Sequence, residues 1–151
     1  PKMIELFSRT NYLLQEENGL TPIHIDDSVS SLSAILLNDA YYQALMDGRE
    51  NMRGISVLKP EWIIPFKAKA WLDLREKKDV DSSDIKKHRN DIIRIVSDMV
   101  LQKCILPDEV RKDMEKFIEQ FDVTESELKN LKIRGTKPED IKRVLQTTYL
   151  D

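Results

Sequence analysis

Cysteine is nearly missing from this 151-residue chain. The single Cys104 cannot close an internal disulfide, and its apolar setting, Cys104-Ile105-Leu106, suits an inert buried thiol better than a reactive one. Thiol redox chemistry is therefore not expected. Glycine and proline are scarce, at four and six residues, while 40% of the chain is hydrophobic. That balance argues against disorder and for one core, or a core with a small helical annex. No apolar run approaches the roughly 20 residues of a membrane helix, and no charged, apolar, small-residue leader opens the chain, so a cytoplasmic protein without a membrane partner is expected. Charge of one sign is not in excess either. With 24 basic and 27 acidic residues the formal net charge is −3, unlike the strongly basic balance of a dedicated nucleic-acid binder. The chain also lacks an initiator Met and enters an apolar alternation directly after Pro1, and so reads as the carboxy-terminal part of a larger protein.

The run 2–7 has the apolar, β-prone content of a short strand, and Ile23-His24-Ile25 is a second candidate. After Asp26, Asp27 and Ser28, any of which could cap a helix, apolar positions at Leu32, Ile35, Leu36, Tyr42 and Leu45 run to Gly48, a natural residue just past a helix end. Ile55-Ser56-Val57-Leu58 reads as a strand. Pro60 suits the first turn of a helix over 60–78, whose start Pro65 should shorten or bend. A polar break over 79–83 precedes a helix capped by Ser82 or Ser83, with Ile85, Ile92, Ile95, Val96 and Met99 on one face. Beyond Cys104, three shorter helices are marked by Pro107-Asp108, by the capping-box pattern Thr124-Glu125-Ser126-Glu127, and by Thr136-Lys137-Pro138-Glu139. The expected fold is α+β and mostly helical, with a short sheet and early helices over 1–105 and a helical annex over 106–151.

On the helix over 60–78, at about 100° per residue, Lys67 falls among Ile63, Ala70, Trp71 and Leu74, inside the apolar stripe. An ammonium there either snorkels its stem along the stripe or aims its charge at an anion in a cleft, such as a phosphate. Arg75, two turns on, could share that anion or simply favour the helix dipole from the last turn. Lys69 lies on the polar side, four residues before Asp73, as a surface ion pair would. The next helix carries Asp84, His88 and Asp91 at spacings of four and three, one acid–imidazole–acid strip along an edge of its apolar face. Three roles compete for it: metal ligation, which would need ligands from elsewhere; acid–base chemistry beside Lys67; or a helix start in which Asp84 favours the dipole and His88 bonds to it. Lys86, Lys87, Arg89 and Arg94 form a local basic flank.

The run Val57-Leu58-Lys59-Pro60-Glu61-Trp62-Ile63-Ile64-Pro65-Phe66-Lys67-Ala68-Lys69-Ala70, then Arg75, then Asp84-Ile85-Lys86-Lys87-His88-Arg89-Asn90-Asp91-Ile92, resembles the AbiEii-like nucleotidyltransferase toxins. That family has a strand, a helix whose lysine precedes an arginine by about two turns, and a basic–acid–x–x–Asp motif opening the next helix. Lys67 and Arg75 correspond to the first motif and Lys87-His88-Arg89-Asn90-Asp91 to the second. Two departures are visible: Lys67 and Arg75 stand one residue further apart than the pattern, and His88 replaces an acid. The resemblance spans about 1–100 and implies a polymerase-β-like nucleotidyltransferase fold. It implies further that Lys67 and Arg75 bind a nucleoside triphosphate, that Asp91 with His88 beside it orients or deprotonates the acceptor, and that Glu5 completes a Mg²⁺ site. An antitoxin protein and an RNA acceptor would be the partners. Such enzymes need a Gly-Ser turn followed by alternate carboxylates that hold the metal. No Gly-Ser pair is present, and Asp26-Asp27 are adjacent, so they project to opposite sides of a strand. The resemblance thus implies a portion of such an enzyme, inactive by itself and holding neither Mg²⁺ nor a nucleotide tightly.

The competing reading is a non-catalytic helical interaction module that docks a protein such as an antitoxin. A third is RNA or DNA binding through the basic flank 86–94, with an affinity that falls steeply with salt.

Overall fold

The computed structural model describes residues 6–9, 34–77 and 81–151. Two short strands, β1 (Leu6–Arg9) and β2 (Ala34–Leu37), pair in parallel with Leu6 opposite Ala34. This changes the reading of the first helix. Ala-Ile-Leu-Leu is too short an apolar run for periodicity to separate strand from helix, and it is a strand. The helix begins only at α1 (Asp39–Gly48), where the Asn38 side chain accepts from the Tyr41 N–H at 3.0 Å. Expectations for Glu5, Ile23-His24-Ile25 and Asp26-Asp27 lie outside the described residues.

Gly48 is the last residue of α1, and its backbone is not among those in the left-handed region. It is needed for closeness: a Cβ there would lie 2.3 Å from Trp62 Cγ and 2.8 Å from Leu58 Cδ1. A hairpin follows, β3 (Arg49–Met52) antiparallel to β4 (Ile55–Leu58). Its two-residue turn, Arg53 and Gly54 at φ 53° and 85°, has the left-handed pair that matches strand twist. Only the second strand was legible in advance.

Helix α2 (Pro60–Glu76) runs unbroken through Pro65. Proline has no N–H to give the carbonyl four residues back, so the Glu61 carbonyl loses its helical donor. The Tyr149 hydroxyl replaces it at 2.5 Å, from the far end of the chain. Helix α3 (Ser82–Asp98) is capped by Asp81, whose side chain accepts from the Ser83 N–H at 2.9 Å, rather than by a serine. Ile92, Ile93 and Val96 are its buried residues, while Met99, expected on the same face, lies past the helix end and is exposed.

Helices α4 (Asp108–Gln120), α5 (Glu125–Asn130) and α6 (Pro138–Tyr149) fall where the capping signals put them. Thr124 and Glu127 form the reciprocal box of α5. At α6 the box is displaced by one residue, because Asp140 accepts from the Lys137 N–H at 3.1 Å. A single cluster of buried side chains runs from Leu37 and Tyr41 through Trp62, Ile92 and Phe117 to Leu145 and Tyr149. At its centre Trp71 meets Phe117 and Phe121 edge-on at 5.3 and 6.0 Å. The fold is mostly helical and α+β, and no described helix is long and apolar enough to cross a membrane.

Candidate functional site

Lys67 and Asp91 come from different helices, 24 residues apart in sequence, and meet with Nζ 2.7 Å from Oδ2. Helix α2 supplies the lysine from the edge of its buried face, with the buried Ile64, Ala68 and Trp71 all to one side of it. Helix α3 brings the aspartate next to its buried Ile92. The side chains keep 27% and 35% of their exposure, so the pair sits at the rim of the core and remains open to solvent. The Lys67 charge is met in this structure by an internal carboxylate.

His88 precedes Asp91 by three residues on α3 and is half-buried, whereas Asp84 is exposed in the first turn. Arg75 is drawn elsewhere. Its guanidinium lies 4.1 Å from the centre of the Trp71 ring and donates to Gln120 Oε1 of α4 at 3.1 Å. The geometry therefore joins Lys67 with Asp91 and carries Arg75 toward the carboxy-terminal helices. Among the described residues no group of three or more His, Cys, Asp or Glu side chains is placed to hold a metal ion. Glu5, the expected ligand, is outside them.

The chain matches no known family model, no curated protein and no solved structure.

Two further clusters were not foreseen. Arg89, expected as part of a basic surface, is committed inward. Its Nε and Nη2 donate to Glu127 Oε1 and Oε2 at 2.6 and 3.0 Å, Nη2 also donates to the Asp122 carbonyl, and the guanidinium lies over the Phe121 ring at 4.7 Å. The Arg89 hydrogen bonds hold the Glu127 carboxyl at about 2, well below the usual range, against the opposing effect of burial. One fork thereby ties α3 to the start of α5. The second cluster joins α1, α2 and α4. The buried Tyr41 hydroxyl donates to Asp113 Oδ2 at 2.8 Å, and Lys69 pairs with Asp73 at 3.1 Å, as its spacing suggested, and with Asp113 at 3.5 Å. Burial, then the hydrogen bond to Asp113, pushes the Tyr41 phenol far up. Burial pulls the Lys69 ammonium down, but the Asp73 and Asp113 carboxylates outweigh it and the net shift is upward. Both clusters depend on residues more than 30 positions apart, which no helical spacing could connect.

Proposed function

We propose that this chain carries the triphosphate-binding lysine and the acceptor-orienting aspartate of a nucleotidyltransferase, Lys67 and Asp91, and that it works as part of a longer protein. The observation that supports the reading is the rim-exposed Lys67–Asp91 contact at 2.7 Å, where two helices present a cation and a base side by side. A triphosphate reaching the rim would compete with Asp91 for the Lys67 ammonium. Exchange of that partner frees the Asp91 carboxylate to accept the proton of an acceptor hydroxyl as its oxygen attacks the nucleotide's α-phosphorus and pyrophosphate leaves. His88, one turn away, is placed to assist in orienting the acceptor. Arg75, which stacks on Trp71 and donates to Gln120, would join Lys67 on the triphosphate by exchanging its Gln120 contact, as Lys67 exchanges Asp91. Glu5 would complete a metal site whose other carboxylates come from elsewhere in the longer protein.

A second reading rests on the same contact. Lys67–Asp91 is then only an interhelical ion pair, and the chain a protein-docking module. One experiment separates them. In the longer protein bearing the metal carboxylates, Lys67→Ala and Asp91→Ala should each remove transfer from a labelled nucleoside triphosphate. A half-exposed pair contributes only about 1 kcal/mol to stability, so both variants should stay folded. Undiminished transfer by both variants would leave the docking module as the surviving reading.

A further inference from the structure

The connection between α5 and α6 has a charge pattern found nowhere else in the described chain. From Leu128 to Pro138 the sequence reads Leu-Lys-Asn-Leu-Lys-Ile-Arg-Gly-Thr-Lys-Pro, with four cations and no acid. Lys129, Lys132, Arg134 and Lys137 are all exposed, and among the described residues none of them forms an ion pair. The apolar residues between them turn the other way: Leu131 and Ile133 are half-buried against the core.

This alternation is held by the backbone. The N–H groups of Leu131, Lys132 and Ile133 donate to the carbonyls of Glu127, Lys129 and Leu128 at 2.9 Å each, and Lys132 and Gly135 take the left-handed conformation at φ 60° and 78°. The cations are therefore displayed on a defined turn. By contrast, the basic flank of α3 expected from sequence loses Arg89 to Glu127, and the acids Asp84 and Asp98 stand on the same helix.

We propose that Lys129, Lys132, Arg134 and Lys137 form a docking surface for the phosphodiester backbone of a nucleic acid. Charge complementarity selects an anionic partner. The absence of exposed apolar side chains in the connection selects among anionic partners. A protein interface centres on apolar and aromatic groups and is depleted of charge, and stable attachment to an anionic membrane needs an inserted apolar group besides the cations. A phosphate backbone needs only spaced cations and reads no sequence through them. The surface asks nothing of Lys67 or Asp91, and so stands or falls independently of nucleotide transfer.

The test uses the whole 151-residue chain and fluorescence anisotropy with labelled single-stranded RNA and DNA of mixed sequence, each about 20 nucleotides long. Four phosphate contacts on a single strand should weaken binding about 50-fold between about 50 and about 200 mM salt. Replacing Lys129, Arg134 and Lys137 by Gln and Lys132 by Asn, which tolerates its left-handed backbone, should cut affinity at least about 10-fold at low salt and flatten the salt dependence. The conservative set Lys129→Arg, Lys132→Arg and Lys137→Arg should retain binding. A control with the same charge change on other exposed cations, Arg49, Lys77, Lys103 and Lys112 to Gln, should lose less than about 3-fold. Four results would overturn the proposal: no binding of either strand, undiminished binding by the four-site variant, an equal loss in the control, or binding to phosphatidylglycerol vesicles or polyglutamate without binding to the strands.

Discussion

Replacing Glu127 by Gln keeps the shape of the side chain and removes the charge that Arg89 grips from two sides. The Glu127 carboxyl stands at about 2 in the folded protein, against an ordinary 4.5. That depression corresponds to about 3 kcal/mol at 1.36 kcal/mol per pH unit. Glu127 keeps 31% of its exposure and Arg89 17%, so solvent screening reduces the contribution to about 1–2 kcal/mol. The sign follows from the direction of the shift: a lowered carboxyl contributes fully above its unfolded value and loses that contribution as pH falls toward the folded value. Wild type should therefore exceed Glu127→Gln by about 1–2 kcal/mol near pH 7, with about half of that gap gone near pH 3 and nearly all of it by about pH 2. Urea unfolding followed by far-UV circular dichroism, run on both proteins across that range, measures the gap. A gap that stays constant with pH, or no gap near pH 7, would refute the assignment of this fork as the link between α3 and α5.

Gly48→Ala sets two effects against each other. Alanine favours a helix by about 1 kcal/mol over glycine, but its Cβ would lie 2.3 and 2.4 Å from Trp62 side-chain carbons. Overpacking costs typically about 1–3 kcal/mol and more for so close an approach, so the variant should lose about 2 kcal/mol in a denaturant titration. A gain would show that α1 and α2 do not meet as described. Tyr149→Phe should cost about 1–3 kcal/mol, because it strands the Glu61 carbonyl that Pro65 cannot serve; restoring a donor by adding Pro65→Ala to the Tyr149→Phe variant should recover part of the loss, and strict additivity of the two changes would sink the account. The Cys104 thiol is pushed up to about 12, chiefly by burial, with the nearby Glu61 charge adding to it. Ellman's reagent near pH 8 should therefore react slowly with the native chain and at once in denaturant, and equal rates would place the thiol at the surface.

Helix ends were the most legible part of this sequence. Thr124 with Glu127 and Pro138 in the first turn of α6 act through the chain's own neighbouring amides, so each signal and its effect lie within four residues. The buried face of α3 was legible for the same reason, through Ile92 and Val96. Where the contest was between two local structures of similar cost, pairing decided. Ala34 to Leu37 took the strand because β1 offered it partners. Of the candidate site, the shared helical edge of His88 and Asp91 could be read from spacing and their grouping with Lys67 came from the family resemblance, but the direct Lys67–Asp91 contact could be read from neither.

Composition and local chemistry alone determined the helical character of this protein, its lack of a described membrane-crossing helix and the position of five of its helix starts to within a residue or two. Tertiary structure decided which charges are spent internally. Lys67 found Asp91, Arg75 found Trp71 and Gln120, and Arg89 found Glu127, each across a gap of chain that periodicity cannot bridge, apart from the intrahelical stacking on Trp71. The physical reason is range. Capping and amphipathicity act within a few residues, while the pairing of long charged side chains depends on which helices the burial of Trp71, Ile92 and Phe117 happens to bring side by side.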